Sequence, residues 1–377
     1  MVIYLQESLL DETHLSAAAK SAIDNVLRSG AEGSHFVFGG LDLLEWLYDL
    51  EGLSDRSRGE LFRLIGSWSE YAAIFQTVKK YVSVDKVSSS GTVTESEVGW
   101  SVGLEDLTTS ESMRRPRLVL EDLDDSLVYA PALKRRVGEI FGGQLDIALE
   151  PVNGGGTNTA RQVHQCLEME GPTVIVIVVD SDKASPYADL GSTAKRVTDL
   201  PNLSEGWSRH VVQLEVLPVR SVENLVNSDA WSAILSRRKD ESRRRSERRL
   251  KRVMQAGVGD VWKYVDWKNG TYYKALLSGD ESTVDYWCAV GRACESILVR
   301  KPCVDYRNCQ LSADCKCVVV AGLGTSLLKA ARNGSDEEAW GAVVLRGGDH
   351  IDCRNEALER LIDRMLPMFL AQDRLRV

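Results

Sequence analysis

The chain has 377 residues, enough for two or three domains of ordinary size, each with its own core. Apolar residues make up 44% and charged residues 27%, an ordinary soluble composition, and no stretch reaches the ~18 uncharged apolar residues of a spanning helix. The net charge of −9 conceals a basic segment: residues 237–252 hold ten Lys and Arg against three acids, a local +7 on a remainder of −16. Such a chain can meet a polyanion locally while staying acidic overall.

The first residues lack a basic region followed by a small-residue cleavage site, which argues against secretion. Eight irregularly spaced cysteines do not form a secreted disulfide framework in a chain of this size. A cytoplasmic protein with no membrane association is expected.

In chain order, residues 1–82 predict a helical domain, with apolar residues at helical spacing over 13–28, 41–50 and 57–82. Residues 83–115 shift to Ser, Thr and Glu and predict a linker or a loosely ordered hairpin. From 116 to 227 short apolar runs alternate with helical patterns: strands at 117–121, 146–152, 173–179 and 209–219, helices at 126–141 and 157–169. That βαβ order predicts a doubly wound, mostly parallel sheet, with the Val/Ile run at 174–179 as its central strand. A long basic helix is expected over 228–256. Residues 257–377 predict a mixed α/β region with aromatic-rich turns, a strand at 317–321 and a terminal helix at 354–370.

Functional groups in open parallel sheets gather beyond the carboxyl ends of the strands. Two strands here end in acids at that place: Leu118-Val-Leu-Glu121-Asp-Leu-Asp-Asp125, and Val178-Val-Asp180-Ser-Asp182. A single such acid usually caps the next helix. Four converging carboxylates repel unless cations lie between them, and hard oxygen ligands suit one or two Mg²⁺ or Mn²⁺ ions. Two ions about 4 Å apart would clamp the attacking and leaving oxygens of a phosphoryl displacement.

The E-x-x-x-D of Glu121–Asp125 and the D-x-D of Asp180–Asp182 resemble the TOPRIM signature shared by topoisomerases, bacterial primases and OLD-family nucleases. Leu217-Pro-Val-Arg-Ser-Val-Glu223-Asn-Leu-Val resembles the segment after the last core strand in OLD-like and AriB-like TOPRIM nucleases of bacterial antiphage systems. The resemblance covers residues 117–227, under a third of the chain. It implies a TOPRIM core in which Glu121, Asp125, Asp180, Asp182 and Glu223 are the catalytic, metal-binding acids, with Glu121 also serving proton transfer. It further implies a lysine acting on the transition state. Lys183 is close in sequence, Lys301 and Lys329 are distant, and none is singled out. Relatives usually carry Gly after the first Glu, where this chain has Asp122. The chain has no Walker motif, so an ABC-type ATPase, if one is used, is a separate polypeptide.

Four secondary signals remain. Arg243, Arg244, Arg245, Arg248 and Arg249 lie on several faces of the basic helix, which reads either as a phosphate-contacting surface or as a solvated or partner-docking helix. Cys303, Cys309, Cys315 and Cys317 crowd four thiols into 15 residues but lack short C-x(2–4)-C knuckles, so zinc competes with plain buried thiols. The loop Asn153-Gly-Gly-Gly-Thr157 reads as a turn or as a phosphate cradle. A late Arg346-Gly-Gly-Asp-His350 resembles a terminal element of AriB-like nucleases, and reads as a phosphate-steadying group or as a turn with a capping His.

The expected function is a metal-dependent endonuclease acting on DNA or on structured RNA such as tRNA, an antiviral defence effector under the control of an ATPase and compatible with a homodimer. The alternative is a non-catalytic TOPRIM-fold assembly or sensor subunit. A primase- or topoisomerase-like enzyme fits less well, for want of a strand-passage Tyr or a zinc motif ahead of the core.

Overall fold

The computed structural model describes residues 1–11, 15–86, 91–200, 208–226, 260–272, 280–293, 318–322, 328–329 and 353–375. The basic helix with Arg243–Arg249, the four clustered cysteines, Lys301 and the 346–350 element lie outside them.

The first region is not helical throughout, contrary to the sequence reading. It runs β1 (Val2–Leu5), α1 (Ala17–Ala31), β2 (Phe36–Gly39), α2 (Leu41–Tyr48), α3 (Asp55–Gly66), α4 (Trp68–Thr77), β3 (Tyr81–Asp85), β4 (Thr94–Ser96) and β5 (Gly99–Gly103). The strands form a five-stranded mixed sheet in the order β2-β1-β3-β5-β4, parallel except for the β4–β5 hairpin. Two of these strands are four-residue apolar runs, and β2 is buried at every position. A strand buried on both faces shows no alternation, so periodicity cannot separate it from the helices beside it. The expected linker is likewise replaced by β3, β4, β5 and two 3-10 turns. The helices themselves follow local signals: Ser16 caps α1 by accepting the Ala19 N–H at 3.0 Å.

The second region opens with β6 (Arg117–Leu120), α5 (Ser126–Phe141), β7 (Leu145–Ile147), β8 (Glu150–Asn153), α6 (Thr159–Leu167), β9 (Val174–Val179), α7 (Ser192–Thr198) and β10 (Val211–Val216). Strands β10-β9-β6-β8 form an all-parallel sheet. All six residues of β9 are buried, each worth roughly 1.5–3 kcal/mol relative to exposure. Their alternation divides the core. Val174, Val176 and Val178 face Val128, Leu133 and the C-terminal residues Leu361 and Met365, while Ile175, Ile177 and Val179 face Val163, Leu167, Ala194 and Val197. Helices therefore cover both faces, and the tips of the strands are left for chemistry. The strand expected over 146–152 is two strands, because β7 leaves the parallel sheet to pair elsewhere.

The remaining described elements are β11 (Gly270–Tyr272), α8 (Glu281–Ala293), β12 (Val318–Ala321), α9 (Cys353–Phe369) and β13 (Leu370–Gln372). Strands β11 and β12 pair antiparallel, as do β13 and β7. Helix α9 is tied to β10 by the ion pair Arg364–Glu215 at 2.8 Å and to α5 by Arg136–Asp363 at 2.8 Å. Beyond it, the buried Gln372 side chain accepts from Val37 N–H at 3.3 Å and joins the first sheet. No described helix is long and apolar enough to cross a membrane.

Candidate active site

Three parallel strands deliver acids to one edge of the sheet. Glu121 follows β6 directly, Asp180 follows β9 directly, and Glu223 lies seven residues past β10 in a 3-10 turn, Val222–Leu225. Asp125 closes the 3-10 turn Leu123–Asp125, where its Oδ2 accepts the Asp122 N–H at 3.3 Å. The backbone knits these segments together: Glu121 Oε1 accepts the Asp180 N–H at 2.9 Å, and Asp180 Oδ1 accepts the Val222 N–H at 3.2 Å.

The four acids feel one another. Burial and then repulsion from Asp125, Glu223 and Glu121 push the Asp180 carboxyl well above its ordinary range. Burial and then Glu223 push Asp125 up strongly. Burial raises Glu121 to about 7, against the lowering effect of the Asp180 N–H. Glu223 and Asp125 are buried, and Asp125 Oδ1 has no hydrogen-bond partner among the described residues.

Asp182 lies at the rim, where its residue surface is exposed, and its charge still raises Glu121. Partial enclosure of its carboxyl raises it and Arg220 opposes the rise. Its φ of 53° makes it the sole described non-glycine residue at positive φ, a conformation that costs on the order of 1–3 kcal/mol. Its N–H donates to Arg220 O at 2.9 Å, and Gly191 packs so close that a Cβ there would lie 2.3 Å from the Asp182 Cβ. The turn is thus held by its neighbours.

Among the described residues Lys268 stands at the cluster, a residue that the sequence pattern does not single out. Its Nζ lies 3.0 Å from Glu223 Oε1. Burial opposes its charge, but Glu223, Asp125 and Asp180 hold the ammonium well above the usual lysine range. Lys183 instead exerts its charge on Asp189, and the exposed Lys329 pairs with Asp124 at 3.0 Å. Delivery of Lys268 depends on Asn224. Its amide donates to Trp262 O and to Val265 O (3.0 Å) and accepts from both the N–H and the hydroxyl of Ser221. All four hydrogen-bonding positions of a fully buried amide are filled. The Asn-Gly pair after Lys268 signals a turn in the sequence, but nothing local says which loop that turn faces. Tyr129, buried in α5, also senses the cluster: burial and then Asp125, Asp180, Glu223 and Glu121 raise its phenol far above 10.

The glycine loop makes a turn and leaves no phosphate cradle at these three residues. Gly154 N–H donates to Leu120 O at 2.6 Å, Gly155 N–H to Asn153 Oδ1 at 3.0 Å, and Gly156 N–H to Glu121 O at 3.0 Å. Its function in the fold is to pin the backbone of Glu121.

The donor chemistry suits a divalent cation: hard carboxylate oxygens, one of them buried without a partner among the described residues, carrying surplus negative charge. As the side chains stand, however, no described group of three or more Asp, Glu, His or Cys is arranged to hold a metal ion. No family model, curated protein or solved structure matches the chain.

Proposed function

We propose that the chain is a metal-dependent phosphodiester hydrolase, a nuclease of the TOPRIM type. The observation that supports this most is the cluster of Glu121, Asp125, Asp180 and Glu223 at the carboxyl edge of a parallel sheet, mutually repelling and joined, among the described residues, by Lys268. Mg²⁺ or Mn²⁺ bound by these acids would polarise the phosphate and activate water. Glu121, at the tip of β6 and accepting the Asp180 N–H, would stand beside the bound ion and is placed to take up a proton from the attacking water. Lys268, still protonated, would balance charge developing on the phosphate oxygens.

Nucleic acid as substrate, a separate ATPase as regulator and a role in antiviral defence rest on the resemblance of three short segments. Incubating the protein with plasmid DNA, and separately with total tRNA, in Mn²⁺ tests the reading. Cleavage by wild type that is lost in Glu121→Gln is expected. Equal activity in both proteins would overturn the assignment to this site, and no activity together with no metal-dependent thermal shift would favour a non-catalytic assembly subunit.

A further inference from the structure

We propose that Lys268 is a built-in counter-cation of the acid cluster, one that holds Glu223 while no metal is bound and releases it when a divalent ion enters. The inference rests on the metal reading above and adds a competition between two cations for one carboxylate.

The geometry is direct. Glu223 is fully buried, whereas the Lys268 side chain keeps 30% of its surface exposed, so the ammonium reaches inward from the solvent side. Lys268 bears on every candidate acid: besides pairing with Glu223, its charge opposes the rise at Glu121, Asp125, Asp180 and Asp182. A lysine in this place does what a metal would do, as a point charge with three donors.

The acids are also not posed as a ligand set. A carboxylate oxygen 3.0 Å from an ammonium is oriented toward that ammonium, and to ligate a metal it must share or leave it. The backbone under Lys268 is the stiff part. Asn269 N–H donates to Asp266 Oδ1 at 2.8 Å, Gly270 N–H donates to Asp266 O at 2.9 Å, and Gly270 takes a φ of 92°. Gly322 closes over the same turn, where a Cβ would lie 2.5 Å from Lys268 O. The four-carbon stem of the lysine is left as the moving part, so exchange requires side-chain rotation and no rearrangement of the sheet.

The test follows Lys268 itself in the full-length wild-type protein. Reductive methylation with and without saturating Mn²⁺, read by peptide mass spectrometry, should show Lys268 shielded without metal and modified about tenfold faster with it. Calorimetric Mn²⁺ titration of Lys268→Met, which keeps the length and removes the charge, should give binding about tenfold tighter than wild type. Wild type that binds Mn²⁺ with Lys268 still shielded would overturn the exchange and leave the metal reading intact. Absence of Mn²⁺ binding in both proteins would overturn both. The methylation arm needs no variant, so misfolding of Lys268→Met would not rescue the idea.

Discussion

The two sheets of this protein are built alike and end differently. Both are mainly or wholly parallel, with strands of Val, Ile and Phe flanked by helices. In the first, β3 ends in Asp85, whose Oδ1 accepts the Ser8 hydroxyl at 2.7 Å. A second acid of that region, the buried Glu60, meets Arg63 at 2.5 Å. Each acid has its own partner. In the second sheet, four acids converge, and among the described residues Lys268 pairs with Glu223 at 3.0 Å. A carboxylate at a strand tip is therefore no sign of function by itself; an excess of buried like charge is, because its cost persists unless a ligand offsets it.

The largest test of that contrast compares Asp180→Asn with Asp85→Asn. Under the proposed function, the first should lower Mn²⁺-dependent cleavage by roughly 100-fold or more while the second leaves it near wild type. Similar losses in both would erase the distinction.

Asn224→Ala should destabilise the protein by about 3 kcal/mol, since two buried carbonyls, Trp262 O and Val265 O, lose their amide donor. It should also loosen Lys268 from Glu223. Urea unfolding measures the first effect, and a change below about 1 kcal/mol would refute the clamp.

At the rim, Gly191→Ala places a Cβ against Asp182 and should cost about 1–3 kcal/mol. A shift in metal affinity alongside that loss would show that Asp182 contributes to the site, and stability loss alone would assign it to the turn.

The smallest effect is on pH dependence. Glu121 titrates near 7 in the fold against 4.5 for the free side chain. A raised folded pKa means that protonation favours the fold, so this contribution is complete below 4.5 and is lost as pH rises through about 7. The metal-free protein should melt a few degrees lower at about pH 8 than at about pH 5. Millimolar Mg²⁺ should narrow the gap, because it stabilises the ionised cluster. A melting temperature that rises with pH over this range would contradict the cluster as described.

Much of the second region was legible in advance. The run Val174–Val179 has one sensible fate, a strand covered on both faces, and α5 falls at 126–141 as its pattern predicts. Strand-end acids then gather at one edge, because parallel strands point their carboxyl ends the same way. The first region was misread for the converse reason: β1 and β2 are four residues each, too short to display a period.

Composition, periodicity and the strand-end places of Glu121, Asp125 and Asp180 were thus determined by the sequence itself, since each depends on neighbours a few residues away, while Glu223 entered only through the resemblance of its segment. Only the tertiary structure decided that Lys268, 45 positions after Glu223 in the chain, is their counter-ion. It also decided that Asp182 stays at the rim, that the N–H groups of Gly154 and Gly156 go to backbone carbonyls and that the Gly155 N–H goes to the Asn153 side chain. Long-range pairing of charges follows from which loops meet, and that is set by how the helices and sheets pack together, which no local pattern encodes.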